Sequence, residues 1–193
     1  MSRMFMGHAI IVALVCSIAA TDGTARTDTS TEDSLKQGDS IGVFYVTKIA
    51  GAEDDGVEPG EDLCYRCRYG SSPMVMIFAR DTGGRLTDLV KQIDAAVEKN
   101  EDARFKGLLT LIGEDAASLK QDASKIAEKA GVKNVPVVIA KEIKTGPLNY
   151  RLSDDAAVTI VIAKDSQVVT THVYAADKID IAAVMAEIQQ ILL

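Results

Sequence analysis

The sequence predicts an α/β domain built on one mixed sheet, and three observations carry that prediction. Short β-branched runs alternate with longer stretches whose apolar residues recur every three or four positions, the pattern of strands joined by crossover helices. Near the C-terminus two apolar runs, residues 157–163 and 168–174, are separated only by Lys164-Asp165-Ser166-Gln167, which makes an antiparallel hairpin. Apolar residues make up 47% of the 193 positions with no Trp, so the chain can bury one aliphatic core.

Taken in order, residues 1–20 read as a secretion signal. A short start with Arg3 precedes the apolar run 9–20, which is short for a membrane span, and small residues suit cleavage after Ala19 or Ala25. Cys16 falls inside that run and would be discarded with it; the alternative is an uncleaved anchor. Residues 21–40, rich in Thr, Asp, Ser and Gly, read as a flexible linker because they hold too little apolar surface to offset ordering. The domain is expected over 41–193, with no membrane span in the mature chain and an extracytoplasmic location, periplasmic or secreted.

Residues 41–50 are β-branched and aromatic, a strand. The loop 51–62 carries six carboxylates, but without the alternating ligand spacing of a calcium site it reads as solvated. Residues 74–79 form a continuous apolar run, as in a strand covered on both faces. Leu86, Leu89, Val90, Ile93 and Val97 share one helical face, with Asp81 or Thr82 as the expected cap. A second buried strand (105–112) and a helix stopped at Gly131 follow. Pro136 then opens a third strand, 135–140, fitting a strand start or an edge. After the hairpin, Asp180 caps a last helix bearing Ile181, Val184, Ile188 and Ile191.

Net charge of −7 argues against nucleic acid, whose phosphates need clustered Lys and Arg. The chemistry-bearing feature is Cys64-Tyr65-Arg66-Cys67-Arg68, a C-x-x-C pair ahead of the 74–79 strand. Without the leader these are the only two cysteines, and an even count in an exported chain suggests a disulfide. One reading is a redox dithiol: Arg66 and Arg68 would favour thiolate, Tyr65 would shield the pair or dock a partner, and Cys64 is expected to attack. Another is a structural staple, although so short a loop gives little chain-entropy stabilisation. Metal has little support, since one pair plus His172 falls short of a zinc set, and Arg68 after Cys67 excludes covalent haem attachment.

Other candidates give ordinary readings. His172 is expected on a sheet face; Ser71 and Ser72 lack a nucleophile-elbow context; Gly83-Gly84 makes only a tight corner. Arg80, Asp81 and Arg85 cluster there, where a surface ion pair is favoured over an anion site.

Three stretches in this order resemble the thioredoxin fold, close to its exported oxidoreductases and peroxiredoxins: Met76-Ile77-Phe78-Ala79-Arg80, Gly131-Val132-Lys133-Asn134-Val135-Pro136-Val137, and the hairpin with Lys164-Asp165-Ser166 at its bend. The resemblance implies a three-layer fold with flanking helices, thiol–disulfide exchange without a cofactor, and a protein thiol, disulfide or reductant as partner. It also implies a cis-proline, placed either at Pro136 or, if Pro136 opens an inserted strand, at the position of Ala157-Val158-Thr159. One departure stands out. The family's nucleophilic cysteine belongs near Thr82, and this chain has Thr82-Gly83-Gly84-Arg85 there. Its thiols stand at the other end of the strand, so the alternative to a relocated redox site is a non-enzymatic binding domain with a stapling disulfide.

Overall fold

The computed structural model describes Met1 and residues 34–175 and 177–193. The expected signal and most of the expected linker lie outside the described residues. Among those described, no helix is long and apolar enough to cross a membrane.

Packing into the domain is already present before Ile41. Ser34 and Leu35 are buried, and residues 38–40 bond to the start of the hairpin's second strand, with Gly38 N–H donating to Val168 O at 2.9 Å. Residues 41–45 carry Ile41 and Phe44 into the core but are not yet ladder. The first strand, β1, is Val46–Ala50. The rest follow as β2 (Asp62–Leu63), α1 (Tyr65–Tyr69), β3 (Met74–Ala79), α2 (Leu86–Lys99), β4 (Lys106–Leu111) and α3 (Ala116–Ala130). Then come β5 (Val137–Ala140), β6 (Val158–Lys164), β7 (Gln167–Tyr174) and α4 (Ile181–Leu192).

The seven strands make one sheet in the order β2-β1-β5-β4-β3-β6-β7. β3, β4 and β5 are parallel; β6 runs antiparallel beside β3, β7 beside β6, and β1 beside β5. The hairpin closes as the sequence predicts, with Asp165 and Ser166 both at positive φ, as a two-residue turn that follows strand twist requires. Helix α3 also ends as expected, at Gly131 in the left-handed region. Helix α2 differs: Arg85 holds its cap position without a side-chain cap, and Asp81 Oδ1 instead accepts from Gly83 N at 2.7 Å. A carboxylate that satisfies its own turn two residues on is not free to reach the helix.

Strand alternation divides the core in two. Val75, Ile77 and Ala79 of β3 face a layer made by all three long helices, α2, α3 and α4. Met74, Met76 and Phe78 face the other way, onto a layer with little helix. It consists of α1, the 34–45 segment and the 141–156 connection, pinned by Phe44, Tyr65 and Tyr150. Phe44, Phe78 and Tyr150 pack with ring centroids 4.9–5.6 Å apart.

The helical layer leaves no room over β4 at Gly107. A Cβ there would lie 2.7 Å from Val135 Cγ2 and 3.0 Å from Ile93 Cγ2. Gly107→Ala is therefore expected to destabilise the domain by about 1–3 kcal/mol in urea titrations. A loss below about 0.5 kcal/mol would show that Val135 yields freely.

Candidate functional site

The cysteines reach their place by a short detour between two strands. Leu63 of β2 pairs with Val46 of β1, and the chain then turns at Cys64 into the single turn and a half of α1. Gly70, at positive φ, ends that helix, and its N–H donates to Arg66 O. The run Gly70-Ser71-Ser72-Pro73 returns the chain to β3. The segment thus folds back against the second face of the sheet, with Tyr65 buried beside the β3 methionines, rather than extending beyond the strand end.

Cys64 and Cys67 are joined by a disulfide, with Cα atoms 5.2 Å apart. Cys64 caps α1, its Sγ accepting the Cys67 N–H at 3.1 Å. The two differ sharply in access. Cys64 is 7% exposed, whereas Cys67 is an exposed residue. This reverses the order expected of an attacking Cys64. A residue that follows a paired strand and caps a helix is held at the sheet, while one helical turn further the side chain points out.

Around the pair the helix is fixed by bonds independent of sulfur. Tyr65 donates from its hydroxyl to Asp55 Oδ2 at 2.5 Å, and Tyr69 donates to Gly107 O at 3.0 Å. Both arginines bond to carbonyls, Arg66 Nη1 to Gly70 O at 3.3 Å and Arg68 Nη2 to Asp55 O at 2.6 Å. Behind them stands a group the sequence reading passed over. Lys48, 1% exposed, donates to Ala52 O and Val57 O, each at 2.8 Å, and to Asp55 Oδ1 at 2.7 Å. Burial pushes the Asp55 carboxyl upward, but bonds from Lys48, Tyr65 and the Val57 N–H outweigh it and hold the group below its usual range. Burial first, then the Asp55 charge, raise the Tyr65 phenol, so it remains the donor. The available signal was a lone lysine on the same strand face as Val46, within an otherwise apolar run.

The other predicted residues lie apart from the disulfide network. The peptide bond before Pro136 is trans, and the Pro136 carbonyl accepts from Leu109 N at 3.1 Å as the residue opens β5. β6, and not the strand Pro136 opens, is the antiparallel neighbour of β3, and Ala157 O at its start accepts from Arg80 N at 2.8 Å. The corner after β3 is tied shut. Arg80 donates to Lys144 O at 2.6 Å and to Asp154 Oδ1 at 3.1 Å, and Arg85 donates to Ile179 O at 2.7 Å. These partners are the ion pair and carbonyls of a surface corner. His172 sits on β7, bonded to Glu187 Oε2 of α4 at 2.7 Å and stacked on Tyr174.

Solved structures share this fold. One from Chlorobium tepidum, assigned to a thiol:disulfide interchange protein DsbE, superposes with a TM-score of 0.60 at 16% identity over 83% of this chain and 100% of that one. Mycobacterium tuberculosis AhpC gives 0.60 at 14% identity, covering 83% and 99%. This chain has the thioredoxin fold. A Bacteroides thetaiotaomicron structure assigned to a protein disulfide isomerase is similar as well, with a TM-score of 0.58 at 14% identity, covering 81% and 88%. No protein-family model matches the sequence, and no curated protein sequence matches it. The helix that carries the C-x-x-C lies on the sheet face opposite α2.

Proposed function

We propose that this chain is an exported thioredoxin-fold protein that exchanges disulfides with a protein partner through Cys64 and Cys67. The observation that carries the reading is the disulfide at the end of a helix whose position does not depend on it. Tyr65, Arg68 and Tyr69 already anchor α1 through Asp55 and Gly107, so a staple across three peptide bonds adds little. One exposed cysteine and one sheltered one suit a couple that meets a partner, then closes again. The structural neighbours assigned to disulfide interchange and isomerisation support the same chemistry, and no cofactor is needed for it. An extracytoplasmic site agrees with the apolar run 9–20 and with a bonded pair. Arg66 and Arg68 raise the local positive charge that thiolate formation needs.

The deciding measurement is the reduction potential of the couple. The protein is equilibrated in glutathione buffers and its alkylated thiols are located by mass. A value above about −230 mV is expected, in the range of working oxidoreductases. One below about −300 mV would mark a structural bond and leave the domain a non-enzymatic module.

A further inference from the structure

We propose that partners join this couple through Cys67, and that Cys64 is the sulfur that leaves and later resolves the adduct. The inference deepens the exchange reading and rests on it.

Two observations carry the assignment. Exchange needs the incoming thiolate to touch the sulfur it attacks and to push the other sulfur away. Cys67 is exposed, while Cys64 is 7% exposed at the junction of β2 and α1. The sulfur that leaves must carry away an electron pair, and a hydrogen bond that strengthens with negative charge favours it in that role. Among the described residues only Cys64 has one: its Sγ accepts the Cys67 backbone N–H at 3.1 Å. That donor belongs to the backbone, so an adduct on the Cys67 side chain leaves it in place. The same bond also favours Cys64 as a thiolate nucleophile, but it then has its target one helical turn away rather than in solution.

The steps balance with a protein dithiol as the second reactant. A substrate thiolate attacks Cys67 Sγ; the new S–S bond forms as the Cys64–Cys67 bond breaks and Cys64 departs as thiolate. The substrate's second thiolate attacks its own sulfur in the mixed disulfide and releases Cys67 thiolate. The substrate is oxidised, the protein pair is reduced, and the two protons from the substrate thiols end on Cys64 and Cys67. Run backwards, reduced Cys67 attacks a partner disulfide and Cys64 resolves the adduct.

The test uses the full chain as Cys64→Ser and Cys67→Ser variants, exposed to glutathione disulfide at neutral pH. Adducts are assigned by peptide mass, which separates Cys16. The remaining Cys67 in C64S is expected to acquire glutathione at least ten times faster than Cys64 in C67S. Because either variant risks misfolding, the oxidised wild-type chain is also mixed with reduced glutathione and quenched with acid; its early adduct is expected on Cys67. An early adduct on Cys64 would overturn this polarity while leaving exchange intact. A wild-type disulfide that persists in excess glutathione without any adduct would overturn the exchange reading, and this inference with it.

Discussion

Lys48→Met is expected to destabilise the domain by about 3–5 kcal/mol, the loss typical of a buried ion pair deprived of one partner. The substitution keeps the length of the side chain but strands three acceptors, Ala52 O, Val57 O and the Asp55 carboxylate, that the ammonium now satisfies. Asp55 would still receive Tyr65 and Val57, so part of the network survives. Adding Asp55→Asn should recover part of the loss, because the charge left alone is then removed. Denaturant titration of the four chains of this cycle measures both quantities. A single-variant loss under about 1 kcal/mol would mean that water replaces the ammonium. The pH dependence has a definite sign. Asp55 titrates below its ordinary 3.8 in the fold, so its contribution is complete above that value and is lost as pH falls through the lower folded one. Acid should therefore loosen the 51–62 loop and the cysteine helix together, visible as loss of amide protection there.

Asp94→Ala should have an effect of similar size, about 3–5 kcal/mol, at a site remote from the cysteines. Asp94 lies on α2, 7% exposed, and one of its oxygens accepts three consecutive backbone N–H groups, Lys133 at 3.0 Å, Asn134 at 2.7 Å and Val135 at 2.8 Å. The other accepts Asn134 Nδ2 at 3.2 Å. Alanine leaves those donors buried or half-buried with nothing to meet them. Asp94→Asn retains an acceptor and should retain most of the stability. Equal losses for the two variants would show that charge, not acceptance, holds the α3–β5 joint. Hydrogen exchange at residues 133–135 gives the local readout.

Most of the fold was legible because its elements are amphipathic. The helices α2, α3 and α4 lay in plain periodicity, and β3 in a continuous apolar run. What periodicity does not encode is pairing. Nothing in residues 135–140 says whether that strand neighbours β3 or stands beyond β4; the sheet order places it beyond β4. The packing of residues 34–40 was hidden for a different reason. Leu35 is one apolar residue in a polar stretch, and its burial comes from β7 accepting residues 38–40 at its edge, a tertiary event. The cysteine site was legible in its chemistry and not in its placement. C-x-x-C announces a disulfide, but the two-residue strand that leads into Cys64 leaves no pattern. The buried ammonium escaped because charge normally marks solvent.

The way β1 joins the sheet has a consequence for how the molecule assembles. β3, α2 and β4 are consecutive and can condense early, as contacts near in sequence do. β1, however, pairs with β5, so Val46 meets Ala140 only after the intervening chain has organised, a slow closure over a long loop. Cys64 and Cys67 need no such wait, since one helical turn brings them together. Their bond can therefore form while the segment that carries it is still loose, when both sulfurs are equally open to any oxidant. In the completed fold one sulfur belongs to a buried residue, Cys64, and the other to an exposed one, Cys67. A bond that forms this locally can precede the long-range pairing of the sheet, and the difference in exposure between the two cysteines belongs to the folded chain.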